Sequence, residues 1–293
     1  MIVTIHNDQL TLTADTLGAQ MQSITSYKGT EYLWNGDERY WKGRAPVLFP
    51  FVARLKDKTY TVNGGTYQMK IHGFASACEF EVAEQTESRV TFVLRDNEVT
   101  RAQFPFAFLF KVRYALKEST VEVTYTVDNP EDEMLHFGIG GHPGFNVPLK
   151  GGTSFEDYYL RFSQPCEPDR VGFSSEILVS GTDKRYELED GQIIRLRHDL
   201  FDHDAIVLKN MAKSVTIASD KTKRYVTVSY PQMPYVGFWH AERKDAPYVC
   251  VEPWVSLPAR DGVIEDFACK GDLIHLPGHG SYENTWYITI GEE

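Results

Sequence analysis

The stretch Val121-Glu-Val-Thr-Tyr-Thr-Val127 alternates apolar and polar side chains without a break and stops at the turn Asp128-Asn-Pro130. A period of two residues places one set of side chains on a buried face and the other on a wet face, the pattern of a strand in an antiparallel sheet. The same reading extends outward in both directions. Arg89–Leu94, Lys223–Ser229 and Asn284–Ile290 are further strands, and Met1–Leu12 alternates as well. Tyr60–Tyr67 reads as a hairpin, because Asn63-Gly64 accepts the positive φ of a tight turn; Tyr186–Arg195 repeats the pattern around Asp190-Gly191. Helical signals are short: Thr100–Phe104 makes a turn or two and ends at Pro105. Nothing supplies the 10–15-residue helices that a parallel α/β sheet needs between its strands. The chain is therefore expected to be all-β: a large antiparallel β-sandwich with few short helices. No linker, fixed-period repeat or compositional break interrupts it, so residues 1–293 read as a single domain.

Composition narrows the function. The 293 residues are 42% hydrophobic and 13% aromatic, enough for a sizeable core and rich in the flat rings that cover the apolar faces of sugars. A net charge of −11 repels phosphate backbones, so nucleic acid is not an expected partner. The four cysteines (Cys78, Cys166, Cys250, Cys269) contain no C-x-x-C pair, which leaves reduced thiols as the expectation. No apolar run reaches the length of a membrane span, and the N-terminus lacks the basic start and apolar block of a secretory signal; a cytoplasmic location is expected.

Three polar clusters stand in apolar surroundings: Ile71-His-Gly-Phe-Ala75, Gly140-Gly-His-Pro-Gly-Phe-Asn146 and Val251-Glu-Pro-Trp254. His142 is framed by glycines and Pro143, which would hold one side chain rigidly at a bend, either as a capped structural turn or as a working imidazole. Glu252 ends the apolar run Tyr248–Val251, where partial desolvation would raise its pKa and make it a better base, unless strand alternation turns it to solvent. His72 reads as either a hydrogen-bonded core histidine or a site residue. Arg54 closes the apolar run Pro46–Ala53 and either snorkels to water or points into a cleft. His198–Asp204 holds two His and three Asp in seven residues, but shows no further ligand at a zinc-like offset, so no metal site is expected.

Taken together, these pieces resemble the aldose 1-epimerase (galactose mutarotase) family, and in particular its LacX-like branch. The resemblance rests on Phe49-Pro-Phe-Val-Ala-Arg54, His72-Gly-Phe74, Gly141-His-Pro-Gly-Phe-Asn146, the Phe201-Asp-His-Asp204 region and Val251-Glu-Pro-Trp254, which occur in the family's order across most of the chain. It implies a β-supersandwich with a cleft on one sheet. It also implies His142 as general acid, Glu252 as general base, and His72 and Arg54 as groups that hold the sugar near its ring oxygen. Asp202 and Asp204 compete for a family aspartate that binds sugar hydroxyls. Leu55-Lys-Asp-Lys58 stands where galactose mutarotases carry an Asn-rich stretch, which separates the chain from a galactose-specific pattern.

The function expected on this basis is interconversion of the α and β anomers of a hexose, with no cofactor, a monosaccharide as substrate, and a monomer or homodimer as the working unit. Glu252 would start ionised and His142 as imidazolium, on opposite sides of the pyranose. Three other readings compete. A hexose-6-phosphate mutarotase would need cations such as Arg39, Lys42 and Arg44 for the phosphate. A non-catalytic carbohydrate-binding protein would use platforms such as Trp239 and Trp254. A glycoside hydrolase would need a second carboxylate facing Glu252. Trp239, His240 and the remaining histidines (His6, His136, His275, His279) read as structural.

Overall fold

A computed structural model of the chain describes residues 1–292. The Val121–Val127 alternation lies in the strand Thr120–Asp128, at the middle of a nine-stranded antiparallel sheet. Val121, Val123, Tyr125 and Val127 face the core. The other face is tied by hydroxyl pairs between neighbouring strands, Thr120 with Thr289 at 2.8 Å, Thr124 with Thr285 at 2.9 Å and Thr216 with Thr227 at 2.8 Å. The longest strand, Ser281–Gly291, pairs with both Thr120–Asp128 and Thr222–Ser229, so the end of the chain is woven into the centre of this sheet.

An eight-stranded sheet carries Ile206–Lys209, Tyr235–Trp239, Tyr248–Trp254, Gly140–Gly141 and Val47–Leu48 side by side, with Gly144–Asn146 also paired to Tyr248–Trp254. A continuous buried cluster fills the space between the elements and runs from Val3 to Ile290. Smaller sheets complete the body: Ile2–His6 with Leu10–Asp15 and Gln20–Ser26, Thr59–Val62 with Gly65–Gln68 and Glu265–Asp266, and Leu135–Phe137 with Ile274–Leu276. The architecture is the all-β antiparallel sandwich expected from the alternation, and its helices are one turn of α-helix and four short 3₁₀ turns among the described residues. No helix among them is long and apolar enough to cross a membrane.

Two local expectations need correction. The helix runs over Glu98–Arg101 rather than Thr100–Phe104. Asn97 caps it, its Oδ1 accepting from the Val99 and Thr100 backbone N–H groups, and the chain leaves the helix well before Pro105. The second hairpin keeps its turn, with Asp190 at φ 52° and Gly191 at φ 70°, but only Ile193–Arg195 forms a strand. By contrast, Asn63 (φ 50°) and Gly64 (φ 75°) turn a complete hairpin as expected.

Candidate active site

The strand Tyr248–Trp254 decides the site. Every residue in it is buried, so neither face shows the alternation of a surface strand. Val249 and Val251 join the main core between the sheets. Cys250, Glu252 and Trp254 point the other way, where Cys250 and Trp254 join two smaller apolar clusters. Glu252 therefore lies on the side away from the core, yet only 1% of it is exposed, because Trp254 and neighbouring segments cover that face as well.

His142 is delivered to this face by a clamped turn. Its own N–H donates to the Pro46 carbonyl at 3.1 Å, the Val251 N–H donates to the Pro143 carbonyl at 3.1 Å, and Gly144 pairs with Cys250 in register. The glycines before His142 serve close packing rather than unusual backbone angles. A side chain at Gly141 would begin 2.7 Å from the Trp286 indole, which belongs to the nine-stranded sheet. The His142 ring stacks on Trp41 at 5.0 Å and meets the edge of Trp239 at 5.7 Å.

His72 and Arg54 arrive from one interlocked pair of segments. Phe49 lies alongside Gly73 as a bridge, and the Phe74 and Ala75 N–H groups both donate to the Phe49 carbonyl. Gly73, at φ 77°, cannot be replaced without strain, since a Cβ there would sit 2.2 Å from that carbonyl oxygen. The Ala53 N–H donates to His72 Nδ1 at 3.1 Å, which leaves the ring proton on Nε2. Burial, with Arg54 adding to it, brings the His72 pKa down to about 4. His72 is thus a neutral ring with one N–H to donate.

These groups share a cleft of ≈ 350 Å³, a size ordinary for a small-ligand site. His72, His142, Glu252, Arg54 and Asp204 all line it, with Trp41, Trp239, Trp254 and Phe173 as its aromatic walls. Asp204 Oδ2 lies 3.5 Å from an Arg54 guanidinium nitrogen. Asp202 does not reach the cleft; it lines the adjoining groove beside His203 and Arg243. Arg39, Lys42 and Arg44 do not line it either. Arg39 turns onto Asp37, and Arg44 donates to the Gln22 carbonyl at 2.7 Å. Ala53 (φ 60°), His72 (φ 64°), Ile177 (φ 60°) and Asp204 (φ 70°) gather around the same cleft in a backbone region that costs energy for residues with a side chain.

His142 Nε2 and Glu252 Oε2 are 3.2 Å apart. Burial pushes the Glu252 carboxyl well above the ordinary carboxylate range, and Asp204 pushes the same way. Burial also pushes the His142 imidazole well below its ordinary range, with His72 adding to the effect. Both directions oppose the charged resting pair expected from the sequence. A carboxylic acid beside a neutral imidazole carries the same single proton as a carboxylate beside an imidazolium, and burial favours the uncharged arrangement. The two groups also stand next to each other, not across a ring from each other. Among the described residues, His142 Nδ1 and Glu252 Oε2 have no hydrogen-bond partner, so the contact is close without being aligned as a hydrogen bond.

Residues 1–256 match the model of the family described as Aldose 1-epimerase. The chain belongs to the aldose 1-epimerase family. It is 33% identical over 266 residues to the chromosomal protein LacX of Lactococcus lactis subsp. lactis, covering 88% of each chain. It is 34% identical to a galactose mutarotase related enzyme from Lactobacillus acidophilus, with a TM-score of 0.95 over 100% of this chain and 98% of the other. A galactose mutarotase-like protein from Lactobacillus casei is 31% identical, with a TM-score of 0.92 over 99% and 100%. The likeness to the two Lactobacillus structures extends over the whole sandwich.

Sequence reasoning missed part of the site. Trp239, which reads as structural or as a binding platform, lines the cleft, as do Trp41 and Phe173, which the sequence does not single out. Asp204, one of the two expected aspartates, brings a second carboxylate to the cleft that Glu252 lines. A signal for Trp239 was present: in the strand Tyr235–Trp239 it occupies the same alternating face as Gly237, which packs against Glu252.

Proposed function

We propose that this member of the aldose 1-epimerase family interconverts the α and β anomers of an aldose by acid–base ring opening and closing at the His142–Glu252 pair. The observation that carries the reading is the 3.2 Å separation of two buried, oppositely perturbed groups in a sugar-sized cleft. Mutarotation moves one proton off O1 and one onto the ring oxygen, and both oxygens are bonded to the same carbon. An acid and a base that stand side by side suit that demand better than a pair spread across the ring.

Hydroxyl donors on a bound sugar favour the carboxylate–imidazolium arrangement of the pair. Glu252 then accepts the O1 proton while His142 donates its Nε2 proton to the ring oxygen. The C1–O5 bond breaks, an aldehyde forms, and the pair is left as carboxylic acid and neutral imidazole. Burial favours this arrangement, so desolvation of the cleft stabilises the ring-opened complex. Rotation about C1–C2 presents the other carbonyl face. Closing reverses both transfers: the ring hydroxyl attacks C1 and returns its proton to His142, and Glu252 returns its proton to O1. His72 donates from Nε2 to the sugar. Arg54 and Asp204 act as a bound pair, the guanidinium donating and the carboxylate accepting at the sugar hydroxyls. Apart from the protons exchanged with the pair, every bond change is internal to the sugar and redox-neutral, so the scheme calls for no cofactor, and a free monosaccharide is the simplest substrate.

The experiment is polarimetry on α-glucose and α-galactose. Glu252→Gln and His142→Asn should each lose about 10²–10⁴-fold in rate while remaining folded. Folded variants that keep the wild-type rate would show that the pair does not carry the reaction.

A further inference from the structure

Cys250 lies two residues before Glu252 on the same strand and so presents its thiol on the same face. The His142 turn is docked on that strand, with Gly144 opposite Cys250. One donor atom from each of the three residues, an imidazole nitrogen, a thiol sulfur and a carboxylate oxygen, lies within 4.8 Å of the other two, and all three residues are buried. Zinc holds nitrogen and oxygen at about 2.0–2.2 Å and sulfur at about 2.3 Å, so neighbouring donors in a tetrahedral site stand roughly 3.5 Å apart. His142 Nε2 and Glu252 Oε2 already meet that spacing at 3.2 Å. A second observation points the same way: Glu252 Oε2, in a residue 1% exposed, has no hydrogen-bond partner among the described residues. Such an orphaned buried oxygen stands ready for a ligand.

We propose that His142, Cys250 and Glu252 form a site for a thiophilic divalent cation, Zn²⁺ in the first instance, whose fourth position opens to the cleft and holds water, and that occupancy blocks the acid–base pair. Binding releases the thiol proton and the carboxyl proton to solvent as the thiolate and carboxylate coordinate. The mixed nitrogen, sulfur and oxygen donor set excludes Mg²⁺ and Ca²⁺, which require oxygen ligands. Inhibition rests on the proposed mutarotase reading; metal binding itself does not.

Co²⁺ is the probe, titrated into the full chain. A thiolate-to-cobalt charge-transfer band should rise in the near ultraviolet, vanish on addition of Zn²⁺ and persist in Mg²⁺. Cys250→Ser and Cys250→Ala should both lack the band, whereas thiols elsewhere in the chain would keep it. Cys250 packs among Trp34, Ala246 and Tyr248, so the alanine variant, checked by its unfolding midpoint, guards against a serine that fails to fold. Zn²⁺ should inhibit anomer exchange by the wild type, and either variant, lacking a direct thiolate ligand, should need a concentration at least about 10-fold higher, with the uninhibited rate unchanged. No band in the wild type, or a band and inhibition that survive both substitutions, overturns the site. A band without anomer exchange supports the metal site and sinks the mutarotase reading. Exchange without a band sinks the metal site alone.

Discussion

Two buried histidines in this molecule have lost their affinity for a proton for the same reason and stand in different company. His240 is fully buried. Its Nδ1 lies 2.8 Å from the Ala241 carbonyl and its Nε2 lies 3.1 Å from His198 Nδ1, so both ring nitrogens are engaged. His142 is buried too, but its Nδ1 has no partner among the described residues and its Nε2 faces a carboxyl across 3.2 Å on a cleft wall. Burial lowers the pKa of each. Desolvation alone therefore does not mark a working histidine. The mark is desolvation joined to an unfilled hydrogen-bonding capacity, a titratable neighbour and room for a ligand.

That contrast can be broken most sharply at Glu252. Its replacement by Gln should cost about 10²–10⁴-fold in anomer exchange, and chemical denaturation should find the fold as stable or more so, because an isostere that cannot ionise relieves a buried acid. A strongly destabilised but active variant would make Glu252 a structural residue like those around His240. The two aspartates come next. Asp204→Asn should lower kcat/KM about 10-fold or more while Asp202→Asn leaves it unchanged, since only Asp204 reaches the cleft; equal effects would erase the distinction. His240→Ala should do the reverse of Glu252→Gln. It should cost about 1–3 kcal/mol of stability, because His198 loses its ring partner, with little change in rate at temperatures where the variant is folded.

A separate, graded effect is in acid. His240 and His72 have folded pKa values of about 4, against an ordinary value of 6.5. Between these limits the unfolded chain binds a proton that the folded chain refuses. The contribution of these two histidines should be intact above pH 6.5 and fall as the pH drops toward 4, by about 1.4 kcal/mol per pH unit for each, while the raised Glu252 pKa acts in the opposite sense. His240→Gln should flatten that slope in denaturation curves taken at stepped pH; an unchanged slope would deny His240 its neutral state.

Much of the fold was legible because its strands declare themselves one at a time. Thr120–Asp128 and Thr222–Ser229 alternate, and Asn63-Gly64 strongly favours a tight turn with positive φ at both residues. The strand Tyr248–Trp254 does not alternate, because both of its faces are covered, and the facing of Glu252 could not be read without the second cover. The cleft was legible in part. His72, His142, Glu252, Arg54 and Asp204 stand at glycine–proline frames or at the ends of apolar runs, and such breaks are local. Trp239 was legible only as a possible binding platform and Trp41 not at all, since an aromatic residue reads as core until the tertiary packing opens a cavity beside it. The protonation of the pair was misjudged for the same reason: nothing in the chain order reveals that both groups are removed from water together.

The central claim is that His142 and Glu252 act as one unit on one hemiacetal, and a double-mutant cycle on anomer exchange tests it most directly. Exchange rates between the α and β anomeric protons of glucose, measured by magnetisation transfer, would be compared for wild type, His142→Asn, Glu252→Gln and the double variant. If the two groups work as a unit, the double variant is about as slow as the slower single variant. Losses that multiply in full would mean that the two residues act independently and would contradict the account.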